Sequence, residues 1–272
     1  MVRSLRCQLG RRVLLVCNLT APLAVVVTGF QSAAANVFAG VAHALLIYAL
    51  LFPGCLLLGP LVRSFAPRGR QLWLTLDDGP VEGETVLLAR ALAERGARAT
   101  FFLEGRRAES LPDAVAAIVQ NGHEVGNHTY SHPKFRFWCL SRRAVGMELD
   151  RFDQAMSRLG IPEVRLFRSP VGMCNVRLAG QLEERGCTHI SWTVRGLDGI
   201  RCNTSQVINR IKKAVQPGAI VLLHEGKKDP KGRPSSRECI LQLVDALMAD
   251  GYEFITPEPA SYRTNFTSQW IQ

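Results

Sequence analysis

Seven short apolar runs alternate with helix-patterned stretches between residues 71 and 256, and no other feature restricts the fold as tightly. The runs are 71–76, 99–103, 124–127, 166–168, 189–194, 219–224 and 253–256. Interleaved with them, 84–94, 113–120, 142–158, 176–185, 205–215 and 236–250 carry the apolar period of helices. Gly96, Gly122, Gly160, Gly186 and Gly251 follow five of these stretches, as helix C-termini favour. Such alternation builds a parallel sheet. About seven units in roughly 200 residues predict an α/β fold, a distorted (β/α) barrel.

Ionisable residues cluster just past the runs: Asp77 and Asp78, His128 and His132, Arg168, Asp198, and His224. The C-terminal ends of parallel barrel strands form one face, so remote segments deliver these groups to one place. His128 and His132 stand four apart in HTYSH, which aims two imidazoles the same way on one helical turn. With Asp78 they suit a divalent metal, since two imidazoles and one carboxylate leave positions open for water and substrate. A lone HxxxH is an ordinary surface pair, and a lone DDGP an ordinary turn. Their convergence at strand ends lifts them above that.

The motifs LTLDDGP (74–80), HTYSHP (128–133), RSPVG (168–172), WTVRGLDG (192–199) and VLLHEG (221–226) stand in one order. In that order they resemble the polysaccharide deacetylase family, the NodB-homology domain of carbohydrate esterase family four. The resemblance implies a barrel short of eight repeats and metal-dependent removal of N- or O-acetyl groups from sugars. It implies Asp77 as the catalytic base, and Asp78, His128 and His132 as ligands of a divalent metal, zinc foremost. Arg168 is implied to orient the base, His224 to be the general acid, and Asp198 to support it. Pro170, Val171, Trp192 and Leu222 are implied to line the substrate and oxyanion site, with a backbone N–H near Val171 holding the oxyanion. Three positions depart from the family's usual pattern: Val171 for an aromatic residue, Arg195 for an acid, and Gly199 for a tryptophan.

Charge divides the chain. Residues 1–70 hold seven Arg and no Asp or Glu, while all 23 acids lie in 71–272 against 26 Lys and Arg. The basic excess forms no stripe on a nucleic-acid-binding motif, so nucleic acid is not an expected partner. Within 1–70, apolar stretches cover 13–29 and 33–62, the second long enough to cross a bilayer. A cleaved signal peptide competes with an anchor, but the second run would remain after cleavage. The expected organisation is a membrane anchor over 1–66 with one or two transmembrane helices, a helical hairpin foremost, then a linker at 67–70, the deacetylase domain over 71–260, and a tail at 261–272. Arg on both outer flanks places both ends of the hairpin, and the domain, on the cytoplasmic side of the plasma or inner membrane. Five Cys in the soluble part, an odd number without CxxC, agree with a reducing compartment.

The expected activity is metal-dependent N-deacetylation of a polysaccharide or a lipid-linked glycan at a membrane. An O-deacetylase or deformylase on a glycolipid, and a non-catalytic glycan-binding protein, are the rival readings. Two loops at the expected active face, 134–143 with aromatics and Arg and the basic 227–237, are either solvated loops or a rim that leans on an anionic membrane. Phe266 and Trp270 in the tail are further candidates for the membrane interface.

Overall fold

Alternation along β2 (Gln71–Gly79) sets the two sides of the domain. Leu72, Leu74 and Leu76 join the core between sheet and helices, whereas Trp73 joins the cluster inside the sheet. A computed structural model describes residues 2–28, 31–52, 55, 58–161, 163–199, 203–229, 231–232 and 235–264, with side chains from residue 12 onward. Phe266 and Trp270 of the tail lie outside the described residues, as do Cys202 and positions 230, 233 and 234 of the second basic loop.

Around β2 the parallel strands are β3 (Ala99–Leu103), β4 (Glu124–Asn127), β5 (Leu166–Phe167), β6 (Thr188–His189), β7 (Val194–Arg195) and β8 (Ile220–His224). Their order is β6-β5-β4-β3-β2-β8-β7, and β9 (Glu253–Phe254) pairs with the start of β2. Helices α3 (Thr85–Glu94), α5 (Pro112–Gln120), α6 (Arg142–Arg158), α8 (Thr204–Ala214) and α9 (Ser236–Ala249) contribute Leu88, Ile118, Phe152, Ile211 and Leu243 to the outer core. Short helices α4 (Gly105–Ser110) and α7 (Leu178–Glu184) complete the set.

The run 189–194 is not one strand. Its beginning pairs with β5 and its end with β8, at opposite edges of the sheet. Between them Ile190 N–H donates to Phe167 O (2.8 Å) and Thr193 N–H to Ile220 O (2.9 Å). Val62 takes the middle: its N–H donates to His189 O and its carbonyl accepts from Ser191 N–H, both at 2.8 Å. One segment thereby joins the two edges and distorts the barrel. Residues 64–65 (β1) pair antiparallel with 262–263 (β10), and Phe65, Trp73 and Ile190 fill the barrel interior near this pair.

The N-terminal segment forms α1 (Val2–Val27) and α2 (Ala33–Leu51). The two helices pack through small residues, with Ala21, Ala42 and Ala49 buried, and Asn18 Nδ2 donates across to Ala42 O (2.9 Å). Their outer surface exposes Leu19, Leu23, Val26, Val37, Val41 and Ile47. At 19 residues and a mean hydropathy of 1.8, α2 is long and apolar enough to cross a membrane.

Candidate active site

Asp77 and His224 are register partners on β2 and β8, so two remote motifs meet as cross-strand neighbours. Asp77 lies on the inner face of β2 and is buried. Its Oδ1 accepts from Arg168 Nη1 at 2.7 Å. Arg168, at the end of β5, is itself 1% exposed and donates also to Thr75 Oγ1 (2.8 Å), Ser191 O (3.0 Å) and Ile190 O (3.3 Å). Its guanidinium lies over the Phe102 ring, 4.2 Å from the centroid. Burial lowers the Arg168 pKa from its ordinary value, and Asp77 opposes the shift.

Consecutive strand residues point to opposite faces, yet Asp77 and Asp78 approach the same imidazole. The reason is a bulge. The β2–β3 register shifts between Asp77 and Gly79, and Asp78 takes a left-handed φ of 69°. His128 Nε2 is then 3.8 Å from Asp77 Oδ2 and 3.6 Å from Asp78 Oδ1. His132 Nε2 is 3.4 Å from Asp78 Oδ1. The ligand atoms of Asp78, His128 and His132 lie within 4.8 Å of one another. Thr129 and His132 also have positive φ, 69° and 51°, so HTYSH is a strained loop rather than the helical turn expected from its spacing.

These three residues fit a divalent cation on their own chemistry. His128 Nδ1 donates to Arg168 O at 2.8 Å, which leaves Nε2 free to ligate. His132 Nε2 is buried with no hydrogen-bond partner, so a lone pair there has no donor to accept from and is open to a cation. Burial, helped by the charge of His128, lowers the His132 pKa to about 3, which keeps its ring neutral. Burial pushes the His128 pKa down, but Asp77 and Asp78 outweigh it and raise it overall, so the site favours positive charge. A cation among the three groups would supply that charge in the proton's place. Burial pushes Asp78 up, yet His128, Lys227 and His224 hold it well below the carboxylate range.

His224 Nδ1 is 3.1 Å from Asp198 Oδ1, and Asp198 Oδ2 accepts from the His224 backbone N–H at 2.8 Å. Burial lowers the His224 pKa, but the Asp198 hydrogen bond and charge, with Asp77 and Asp78, raise it overall. Pro170 is buried, and Val171 stands 42% exposed with a left-handed φ of 49°. Trp192 is half-buried, its ring 5.9 Å from Arg168 Cζ. Leu222 is buried beside Thr75, two residues below His224 on the same face.

Sequence reasoning passed over Glu104 and Arg107 and did not pair Lys227 with any group. Glu104 directly follows β3, so the strand-end pattern that flagged the other residues applied to it as well. Its Oε1 is 3.8 Å from His132 Nδ1 and its Oε2 is 3.0 Å from Arg107 Nε. Arg107 Nη1 donates to Asp78 O at 2.7 Å. Lys227 Nζ donates to Asp78 Oδ2 at 2.6 Å.

Known proteins resemble this chain in sequence and fold. Residues 66–190 match the profile of the polysaccharide deacetylase family. A chitooligosaccharide deacetylase from Azorhizobium caulinodans is 30% identical over 193 residues, 66% of this chain and 90% of that protein. A peptidoglycan-N-acetylglucosamine deacetylase from Bacillus cereus is 30% identical over 186 residues, 67% of this chain and 84% of that one. A family 4 carbohydrate esterase from Streptomyces lividans, in complex with acetate, has a TM-score of 0.63 at 29% identity, covering 74% of this chain and 98% of its own. A pseudoenzyme of the same esterase family from Bacillus anthracis has a TM-score of 0.60 at 26% identity, covering 71% and 65%. On these matches, over the shared barrel, the chain belongs to the polysaccharide deacetylase family.

Proposed function

We propose that this chain is a membrane-anchored, divalent-metal-dependent hydrolase that removes N-acetyl groups from amino sugars of a polysaccharide or a membrane-linked glycan. One observation carries the reading: Asp77 and His224, cross-strand neighbours, flank the cluster of Asp78, His128 and His132. Further support comes from relatives named for deacetylating chitooligosaccharides and peptidoglycan N-acetylglucosamine.

A cation held by Asp78, His128 and His132, zinc by the character of that ligand set, supplies Lewis-acid polarisation and a lowered water pKa. Asp77, oriented by Arg168, takes the water proton as the C–O bond forms. The Val171 N–H stabilises the oxyanion, and Pro170, Trp192 and Leu222 wall the acyl group. His224, kept protonated by Asp198, gives its proton to the departing nitrogen. The C–N bond breaks, and acetate and a free amino sugar leave. At Gly199 a Cβ would meet His224 Cε1 at 3.5 Å, ordinary contact, so the glycine leaves that side of the acid uncovered. The open side suits a bulky acceptor beside the reacting nitrogen.

Residues 1–66 serve as the anchor in this reading, 71–260 as the catalytic domain and 261–272 as a tail. The apolar exterior of α1 and α2 supports anchoring, because a surface of that extent is costly in water. The flanking Arg and the free thiols of Cys139, Cys174 and Cys187 support the cytoplasmic side.

The test is acetate release from N-acetylglucosamine oligomers by the full chain in detergent with zinc. Wild type should release acetate, and Asp77→Asn and His132→Ala should not. Equal release by Asp77→Asn would remove the base assignment. A silent wild type that still binds one zinc would move the search to lipid-linked amino sugars, and one that binds none would favour the glycan-binding reading.

A further inference from the structure

The 3-10 segment Lys134–Cys139, one residue beyond His132, has an exposure pattern unsuited to water. Phe137 is buried against Phe167, Val145 and Leu149. Phe135 and Trp138 face outward, 68% and 42% exposed, among the exposed cations Lys134, Arg136 and Arg143.

Two consecutive residues clasp this segment to the N-terminal hairpin. Asn175 Nδ2 donates to Phe137 O (2.7 Å) and Leu140 O (3.0 Å). Cys174 N–H donates to Leu50 O at 3.0 Å, in the last turn of α2. The Cys174 side chain packs with Leu14, Ala49, Leu50 and Leu58. The last turn of α2 is itself aromatic and exposed: Tyr48 stacks on Phe52 with centroids 4.7 Å apart, 48% and 55% exposed. Val171, on the lip of the site, lies three residues before Cys174. Aromatic residues beside cations at the end of an apolar helix are the signature of a headgroup layer.

We infer that the 134–143 rim lies in the headgroup layer beside the hairpin, so that the active site opens onto the bilayer and takes an acylated amino sugar carried on a membrane lipid. The bilayer contact rests on the rim and its clasp, and the sugar rests on the hydrolase reading above. Continuity with the hairpin selects a lipid surface as the occupant of this face. An aromatic platform for a soluble glycan chain is the rival occupant.

The experiment uses the full chain in vesicles of phosphatidylcholine and phosphatidylglycerol with brominated acyl chains. Bromine quenches nearby indoles, and Trp138→Phe removes one of four tryptophans. A quenched component present in wild type and lost in Trp138→Phe is expected. Identical quenching in the two proteins would overturn the placement, whatever the enzyme does. In the same vesicles, Phe135→Ser/Trp138→Ser should lower deacetylation of polyprenyl-diphosphate N-acetylglucosamine about tenfold, the scale of two aromatic anchors leaving an interface. Turnover of soluble chitotetraose should stay within about twofold. An equal fall with both substrates would make the aromatics a glycan platform and overturn the inference. Quenched Trp138 in a protein that turns over neither substrate would leave the rim in the membrane and remove the hydrolase reading alone.

Discussion

Arg168 Nη1 lies 2.7 Å from Asp77 Oδ1, and neither side chain reaches water to any extent. The pair spans the barrel, joining the ends of β2 and β5. Removing one partner strands the other charge in a buried site, which costs about 3–5 kcal/mol. Arg168→Met should lower unfolding free energy on that scale in denaturant titrations. Asp77→Asn retains an acceptor for Arg168, so it should unfold close to wild type while kcat falls about 10²–10⁴-fold, the range for loss of a general base.

Lys227 holds Asp78 Oδ2 at 2.6 Å, and a metal ion would compete for the same carboxylate. The pair is half-buried, so it is worth at least what an exposed ion pair is, about 1 kcal/mol or roughly a fivefold change in affinity. Lys227→Met should therefore tighten divalent metal binding by about that factor, read by competition with a chromogenic chelator. Unchanged or weaker binding would show that the ammonium does not oppose the metal.

The pH profile should report the His224–Asp198 pair. Asp198 favours the charged imidazolium, so it raises the pH at which the acid is lost. The alkaline limb of kcat/KM belongs to that acid in the free enzyme. Asp198→Asn removes the stabilising charge, and the limb should move to lower pH. A profile unmoved by this change would assign the limb to another group.

His189 makes a separate prediction about stability. Burial, then the charge of Arg168, lowers its pKa from 6.5 to about 4. Below pH 6.5 the unfolded chain takes up a proton that the folded chain refuses until about pH 4. Its contribution is thus complete above pH 6.5 and is lost as pH falls through that window. The loss is on the order of 3 kcal/mol by the lower end. Denaturant midpoints of His189→Gln should fall less steeply than those of wild type between neutral pH and pH 4.

What the chain's sequence determined by itself was local and periodic. Alternation of apolar runs such as 71–76 and 219–224 with helix-patterned stretches was enough to define β2 and β8, because parallel strands need crossovers between them. The same alternation told which end of each strand gathers ionisable residues, so Asp77, His128, Arg168, Asp198 and His224 were legible as one cluster and candidate site. The hairpin was legible because two apolar stretches flanked by Arg have few other solutions.

Tertiary structure decided what depends on neighbours remote in sequence. The bulge at Asp78 turns two successive carboxylates onto one imidazole, and it arises from pairing with β3, which no local pattern reports. The run 189–194 reads as one strand, but Val62, some 130 residues earlier, occupies its middle and splits it between the two edges of the sheet. Glu104 beside His132 and Lys227 on Asp78 depend on side-chain reach across loops. The clasp of Leu50 by Cys174 is likewise a backbone hydrogen bond. Every residue except proline carries the same amide and carbonyl, so composition cannot say which two will meet; only packing selects the pair.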